Sequence, residues 1–262
     1  MREIVVDGFY WTNEPWGRAL RSRHLEDVAN HFFTSLPLRL RGEKAQEERD
    51  WALVAATAGV PADRLHRLHQ VHGNSVVVRR TGEPGSWLGG TNFPHADIIL
   101  SNDPSLALAV QVADCVPLLV ADRRRGVVAA AHAGWRGTAQ NVAGTTVAAL
   151  TREFGSDPAD LLVAHGPSIG ACCYVVGEEL VEAFERGGYG AAISRWFLRD
   201  DEGNLRLDLW AANREQLLDA GVPVEQVHQS ELCTASHPEW FASYRRDGKG
   251  TGRIAGVIRP RE

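Results

Sequence analysis

The sequence predicts a mixed α/β protein, either α+β or a sandwich of mixed sheets, and two observations carry this prediction. Short strand-like runs follow one another between residues 75 and 132. Helical patterns then mix with further strand-like runs, without the regular strand–helix alternation of a doubly wound Rossmann fold. The chain has 262 residues, with no internal repeat and no long linker, which is enough for one large domain or two small ones.

The first half of the chain supplies one helix and then the strands. QEERDWALVAATAGVP predicts a helix that ends at Gly59 and Pro61. The strand-like runs that follow are SVVVRR, ADIIL, LALAVQVAD, VPLLVAD and GVVAAAH, and their spacing predicts hairpins. ADRRRG between the last two is a turn that Asp122 opens and Gly126 closes. Its three arginines indicate a solvated hairpin tip rather than a binding patch.

The second half of the chain mixes helices with strands. A helical period starts at Thr138, with Val142, Thr146, Ala149 and Leu150 on one face. The elements predicted after it are a strand in DLLVAHG, helices in GEELVEAFER and LDLWAANREQLLDAG, and closing strands in EQVHQSE and GRIAGVIRP.

Composition narrows the functional classes. Hydrophobic residues make up 44% and charged residues 23%, as in an ordinary soluble protein. The net charge of -5 argues against a broad nucleic-acid or membrane surface, and no apolar run approaches the roughly 20 residues that span a bilayer. The first residues lack the apolar core of a secretory signal, so we expect a cytoplasmic protein.

Cysteine usage points to thiol chemistry rather than to disulfides. The four cysteines are too few for a disulfide scaffold in a chain of this length. Cys172 and Cys173 are adjacent, and a bond between neighbours strains the intervening peptide. We therefore expect buried thiols, metal ligands or nucleophiles.

Candidate ligands come from three separate stretches. RLHRLHQVHG spaces His66, His69 and His72 by three residues, and Gly73 after His72 indicates a strand end or turn, where side chains often reach a site. His66 and His69 are better explained as surface or satisfied polar residues. In VADCVPLL, Cys115 interrupts an apolar run, and Pro117 indicates an edge strand or a bulge.

The third stretch, AAAHAGWRGT, leaves unusual room around His132 because its neighbours are small. We expect a helix to begin at Gly137 and Thr138, with Arg136 just before it. A guanidinium beside free helical N–H groups would make a phosphate or carboxylate cradle. A capped helix with a surface arginine explains the pattern equally well.

His72, Cys115 and His132 together offer two imidazole nitrogens and one sulfur. Three protein ligands with an open fourth position are typical of catalytic zinc. The same cysteine and histidine could instead form a metal-free thiolate–imidazole pair for acyl or amide chemistry. The residues alone leave both interpretations open.

Five motifs in this order also resemble the YfiH-like family, often labelled laccase-domain or polyphenol-oxidase-like proteins. They are HQVHG, ADCVPLL, AHAGWRGT, GPSIGACCYVVGEE and RRDGKGTGR, between residues 69 and 256. The resemblance implies a single α/β domain spanning residues 1–262, with sandwiched mixed sheets flanked by helices, similar to the catalytic fold of the cytotoxic necrotizing factor deamidases. It also implies a zinc ion, historically argued as copper, on His72, Cys115 and His132.

The resemblance further implies purine nucleoside phosphorolysis, acting on adenosine, inosine and methylthioadenosine with phosphate, and adenosine deamination. In that interpretation Arg136 holds phosphate or leaving-group charge, and Asp114 orients a ligand as part of the catalytic set. Substrate contacts are then expected from Gln70, Tyr174, Arg245 and Arg246.

Three alternatives remain open at this stage. Bacterial relatives are linked to peptidoglycan editing, which would suit a Cys/His amidase. The laccase label suggests a polyphenol oxidase, but this chain has none of the His-x-His pairs that multicopper oxidases use. A non-catalytic zinc-binding domain is the third. The oligomeric state is not predicted.

Overall fold

The computed structural model describes residues 6–83 and 93–261. The strands in these ranges are β1 Phe9–Glu14, β2 Gly17–Ser22, β3 Ala29–Thr34, β4 Leu65–His66, β5 Val76–Arg79, β6 Ile98–Ser101, β7 Ala107–Val112, β8 Val116–Asp122, β9 Val127–Ala133, β10 Leu161–His165, β11 Phe197–Arg199, β12 Leu205–Leu207, β13 Val227–Gln229 and β14 Ile254–Pro260. The α-helices are α1 Lys44–Ala58, α2 Trp135–Ala139, α3 Val142–Phe154, α4 Glu178–Arg186, α5 Ile193–Trp196, α6 Leu209–Asp219 and α7 Tyr244–Asp247.

Two six-stranded mixed sheets form the centre of the structure. The strand order is β1-β2-β3-β14-β7-β4 in the first sheet and β13-β10-β8-β9-β6-β5 in the second. The short strands β11 and β12 form a separate antiparallel pair. Pairing within the two large sheets is antiparallel except at β4–β7, β5–β6 and β10–β13. The predicted mixed sheets are therefore confirmed.

Three apolar clusters pack the layers of the structure against one another. One cluster lies between the two sheets, where residues such as Phe33 and Val110 of the first sheet pack against Leu119 of the second. A second covers the outer face of the second sheet with α3, α4 and α6, and a third covers the outer face of the first sheet with α1. Helices thus flank a two-sheet sandwich, because each sheet has an apolar residue set on both faces.

The predicted end of α1 is confirmed, whereas the helix predicted from Thr138 onward begins earlier and is divided in two. The first helix ends at Gly59, whose φ of 74° is the left-handed conformation that closes helices. Beyond β9 the chain makes two helices instead of one, because Asn141 adopts a φ of 61° and accepts a hydrogen bond from the Gly144 N–H as the cap of α3. The first of them, α2, begins at Trp135, so Arg136 lies in its first turn and not before it.

The hairpin formed by β8 and β9 is the predicted one. The Asp122 carboxylate accepts hydrogen bonds from the N–H groups of Arg124 and Arg125, and Gly126 has a φ of 63°. The other predicted hairpins are wrong: β5 and β6 are parallel neighbours, and β7 and β8 belong to different sheets. Residues 113–115, which include Asp114 and Cys115, lie at that crossing between sheets, and the alternation within one strand could not reveal it.

Pro117 does not mark an edge strand. Strand β8 lies inside its sheet, between β10 and β9. Pro117 is tolerated there because it is the second residue of the strand, where little of the hydrogen-bonded ladder has yet formed. Among the described residues, no helix is long and apolar enough to cross a membrane.

Candidate metal centre

Cys115 and His132 meet because β8 and β9 pair. Cys115 directly precedes β8, and the register places Val116 opposite Ala133 and Pro117 opposite His132. The His132 side chain is buried, whereas Cys115 is half-buried at the point where the chain passes from the first sheet to the second. A cysteine and a histidine 17 positions apart in sequence are therefore neighbours at one end of a rigid hairpin.

His72 reaches the same place from a loop that Asp97 holds. The buried Asp97 carboxylate accepts hydrogen bonds from the N–H groups of Val71, His72 and Gly73 at 3.2, 3.0 and 2.7 Å. Its Oδ1 atom also lies 2.7 Å from Nδ1 of His132. One carboxylate thus ties the loop that carries His72 to the strand that carries His132.

The three side chains form a compact donor set. The ligand atoms of His72, Cys115 and His132 all lie within 4.8 Å of one another, and the two imidazole rings are nearly perpendicular, with an interplanar angle of 82°. A tetrahedral zinc with Zn–N and Zn–S bonds of about 2.0 to 2.3 Å requires ligand atoms about 3.3 to 3.8 Å apart. Small side-chain adjustments meet that requirement, so the residues fit a metal ion.

The electrostatics favour a thiolate at Cys115. Burial alone would raise the pKa of the Cys115 thiol, but the charge of His132 and hydrogen bonds from both histidines lower it to about 6. Burial opposes protonation of His132 as well, yet Cys115 and Asp97 raise its pKa to about 9. Without a metal, Cys115 and His132 therefore form a thiolate–imidazolium pair. The thiolate is the form that binds metals, and a metal ion would displace the proton of His132.

A glycine makes room for this cluster. A Cβ atom on Gly134 would lie 2.8 Å from the Cys115 sulfur and 3.2 Å from Cδ2 of His72. The φ of Gly134 is -79°, so its backbone needs no glycine on conformational grounds. The absence of a side chain is required by the close approach of two candidate ligands.

The cluster opens onto a cavity of about 930 Å³. Its wall contains aromatic residues, five arginines and a few acids. The aromatic residues are Phe93, Trp135, Tyr174 and Tyr244, and the arginines are Arg41, Arg67, Arg136, Arg245 and Arg253. A cavity of this size with aromatic surfaces and an excess of positive charge suits a planar ligand together with an anion.

The arginines of the cavity wall differ in whether a neighbouring acidic side chain already balances their charge. Arg67 pairs with Glu47 at 3.7 Å and stacks on the Phe93 ring, so it serves the wall itself. Burial and the charge of the nearby Arg41 lower the pKa of Arg253. Two guanidinium groups that repel each other beside a cavity are stabilised by a bound anion.

Two of the predicted site residues have a different role in the structure. The Asp114 carboxylate accepts hydrogen bonds from Oγ1 of Thr234 and from the N–H of Arg245, at 2.6 Å each, whereas the carboxylate in contact with a candidate ligand is that of Asp97. The Gln70 side chain uses both ends of its amide on the backbone of Gln111. It lines the cavity but acts there as an extension of strand β7.

The remaining predicted residues divide between the cavity and the interior. Tyr174 lines the cavity, and the Arg245 guanidinium lies 4.9 Å from the centre of its ring. Arg136 also lines it, with its guanidinium 4.2 Å from the Trp135 ring. Arg246 does not line the cavity: its guanidinium donates to the carbonyl groups of neighbouring loops, so the structure does not bring it together with the other predicted residues.

Sequence reasoning missed the residues that tertiary structure brings to the site from elsewhere. Asp97 stands at the start of ADIIL, and an acid entering a buried strand is a signal that could have singled it out. Arg41 and Arg253 carry no local signal, because they lie in loops more than 200 residues apart in sequence. His66 and His69 stay outside the ligand cluster, as expected.

The fold and the cluster define a class of protein: two mixed sheets between helices, with an open site of two histidines and one cysteine where the chain crosses between sheets. Within that class, the chain belongs to the family described as "Multi-copper polyphenol oxidoreductase laccase", whose profile matches residues 20–261. The resemblance to YfiH-like proteins is thereby confirmed.

Curated relatives carry a different kind of name. The chain is 42% identical over 163 residues to "Purine nucleoside phosphorylase" of Bacteroides thetaiotaomicron, a match that covers 62% of this chain and 60% of that protein. It is 40% identical over 191 residues to "Purine nucleoside phosphorylase YfiH" of Escherichia coli, covering 73% and 72%. The matched segment thus spans less than two thirds of the Bacteroides protein.

Solved structures share the fold over nearly the whole chain. The crystal structure of Bacillus licheniformis hypothetical protein YfiH has a TM-score of 0.85 and 29% identity, and covers 97% of this chain and 100% of that one. YlmD from Geobacillus stearothermophilus has a TM-score of 0.83 and 29% identity, covering 96% and 99%. The mixed α/β fold is therefore that of the YfiH and YlmD structures.

Proposed function

We propose that this protein is a zinc-dependent purine nucleoside phosphorylase. The observation that carries the proposal is the donor set of two histidines and one cysteine on the wall of an arginine-rich cavity. The names of the curated relatives support the reaction class, and the cavity supports the substrates, a nucleoside and inorganic phosphate.

The reaction transfers a ribosyl group. A phosphate oxygen attacks C1′ of the ribose, the bond from C1′ to the purine nitrogen breaks, and its electron pair leaves with the base, which then takes up a proton. Free base and ribose 1-phosphate are the products. Both the incoming phosphate and the leaving base are anionic at the transition state, so a site that stabilises negative charge accelerates the reaction.

His72, Cys115 and His132 would hold the zinc ion, which supplies Lewis-acid stabilisation of negative charge and lowers the pKa of a bound water to about 7. Asp97 accepts the hydrogen bond from Nδ1 of His132, which turns the other ring nitrogen toward the cluster. Asp97 also fixes the loop that carries His72. Its role is to position two ligands rather than to touch the substrate.

The cavity wall would bind the two substrates. Arg41, Arg136 and Arg253 place positive charge where phosphate needs it. The rings of Trp135 and Tyr174 offer flat surfaces on which a purine base can stack. We propose adenosine, inosine and methylthioadenosine as substrates, and deamination of adenosine by an activated water as a second activity of the same centre.

The test measures release of free base and ribose 1-phosphate from adenosine, inosine and methylthioadenosine, with and without phosphate, on protein of known zinc content. Phosphate-dependent release that disappears in Cys115→Ala supports phosphorolysis. Ammonia release that does not depend on phosphate would report deamination. Full activity in Cys115→Ala would overturn the assignment of the centre.

A second candidate function is amide hydrolysis by Cys115 and His132 without a metal, as in the editing of a cell-wall precursor. The lowered pKa of Cys115, about 6, favours it because a thiolate is a ready nucleophile. This function predicts an activity that survives chelation and is lost on alkylation of Cys115. Zinc content without turnover on nucleosides or amides would instead indicate a non-catalytic binding domain.

A further inference from the structure

A second cluster of three cysteines lies away from the cavity. The sulfur atoms of Cys172, Cys173 and Cys233 all lie within 4.8 Å of one another, and all three thiols are free. None of the three lines the cavity described above. The proposed phosphorolysis therefore leaves these residues without a role.

Backbone pairing brings the three sulfurs together. Ser168 and Cys233 form a parallel bridge, in which the Ser168 N–H donates to the Leu232 carbonyl and the Thr234 N–H donates to the Ser168 carbonyl. The turn at 170–173 then folds back, with the Cys173 N–H donating to the Gly170 carbonyl. The loops are held by main-chain hydrogen bonds, so the cysteine arrangement is built into the fold.

The spacing of the thiols suits a metal ion. The sulfur atoms of Cys172 and Cys173 are 3.6 Å apart. A zinc ion with Zn–S bonds of about 2.3 Å holds its sulfurs about 3.8 to 4.0 Å apart. Cys172 is exposed and Cys173 half-buried, which gives an ion access, while Cys233 is buried against the apolar cluster on the outer face of the second sheet and anchors the group there.

Polar groups lie beside the sulfurs. The Gly170 N–H donates to Sγ of Cys233 at 3.3 Å, and Oγ of Ser236 lies 3.2 Å from Sγ of Cys173 and 3.7 Å from Sγ of Cys172. An N–H group that donates to sulfur stabilises a thiolate and is a common feature of metal–thiolate sites. The Ser236 hydroxyl is close to two of the sulfurs and is available as a fourth ligand or as a partner for a bound water.

We propose that Cys172, Cys173 and Cys233 bind a zinc ion in a second, structural site. The ion would fasten the turn at 170–173 to the segment that carries Cys233. Tyr174 on the cavity wall follows that turn, and Thr234 donates to Asp114 beside Cys115. The second site would therefore brace one wall of the cavity without taking part in the reaction.

The test counts zinc ions on the purified full-length protein, loaded with Zn²⁺ and freed of excess metal, by elemental analysis. We expect about two ions per chain in the unaltered protein, about one in Cys115→Ala and about one in Cys233→Ser. The double variant should bind none. One ion in the unaltered protein and none in Cys115→Ala would overturn the second site.

Circular dichroism shows whether Cys233→Ser folds. If it does not fold, a second, spectroscopic experiment tests the proposal without that variant. Cobalt-loaded Cys115→Ala keeps the three cysteines intact and removes the only thiol of the first centre. A strong sulfur-to-cobalt charge-transfer band must then persist, and it must weaken in Cys115→Ala combined with Cys173→Ser. Loss of the band in Cys115→Ala, or a disulfide between Cys172 and Cys233 under reducing purification, contradicts the proposal. Because this readout uses no substrate, it is independent of the proposed function.

Discussion

The two thiol-containing clusters have the same number of candidate ligands and differ in their surroundings. His72, Cys115 and His132 combine nitrogen with sulfur and open onto a cavity of about 930 Å³. The cluster of Cys172, Cys173 and Cys233 is all sulfur and lies outside that cavity. Catalytic zinc keeps an open position for substrate, and of the two clusters it is the first that faces a cavity able to admit one. The surroundings, rather than the ligand count, therefore distinguish a reactive centre from a brace.

The clusters also differ in how they are held. Asp97 links two ligands of the first centre through four hydrogen bonds from a buried position between strand and loop. The cysteine cluster depends on main-chain pairing of two loops around Ser168. Because one buried carboxylate contacts two candidate ligands, its substitution should disturb both of them. We therefore expect the first centre to be more sensitive to a single substitution than the cysteine cluster.

The largest effect is expected from Cys115→Ala. This change removes one of three ligands and the only sulfur of the first centre, so we expect kcat/KM to fall more than about 10³-fold, with loss of zinc from that centre. Steady-state kinetics and zinc analysis on the same preparation check both. An unchanged thermal unfolding midpoint would show that the fold survives, and full kcat/KM in this variant would contradict the assignment of the centre.

The next largest effect is expected from Asp97→Asn. The amide keeps the shape of the carboxylate but cannot accept the same four hydrogen bonds or hold the charge of His132, so we expect zinc affinity to fall about 10- to 100-fold. Competition with a chromophoric chelator measures it. Asp122→Asn is the matched control, because Asp122 is a buried carboxylate at the far end of the same hairpin. Equal losses in both variants would contradict a positioning role for Asp97.

A smaller effect is expected from Gly134→Ala. The added Cβ would lie 2.8 Å from the Cys115 sulfur, so the ligand must move, and we expect kcat/KM to fall about 10-fold or more. Gly190→Ala is the control, since a Cβ there meets nothing within 4 Å. If the two alanine variants had the same kinetics, close packing at Gly134 would not position the centre.

The smallest effect is expected from Arg253→Gln. Removing one of the two neighbouring guanidinium charges should raise KM for phosphate about 5-fold, equivalent to about 1 kcal/mol, while KM for the nucleoside changes less. Arg125→Ala, at the exposed hairpin tip, should leave both constants unchanged. A rise in the nucleoside KM alone would instead place the sugar or base beside Arg253.

Local patterns were sufficient for the hairpin that builds half of the first centre. The alternation of VPLLVAD and GVVAAAH, with a turn at Asp122, predicts the pairing that places Cys115 beside His132. Local patterns did not predict that the chain crosses from one sheet to the other between β7 and β8. An apolar run has the same pattern whether its neighbours lie in the same sheet or in a different one. The prediction that β8 is an edge strand was wrong for the same reason.

Side-chain chemistry alone did not predict the hydrogen-bond partners of several predicted site residues. Asp114 is adjacent to Cys115 in sequence, yet the carboxylate that contacts His132 is Asp97, which directly precedes strand β6. Gln70 and Arg246 have suitable side chains for substrate contact, but backbone groups occupy them. Hydrogen-bond partners depend on which backbone groups would otherwise be buried and unpaired, and only the packed structure shows these groups.

The sequence by itself determined the class of fold, the central hairpin and the three candidate metal ligands, because periodicity and small-residue neighbourhoods are local properties. Only the tertiary structure decided that Asp97 orients the centre, that Arg41 and Arg253 face one cavity, and that Cys233 joins Cys172 and Cys173. Each of these is a contact between distant segments, and its geometry is set by how the two sheets pack and not by any single stretch of chain.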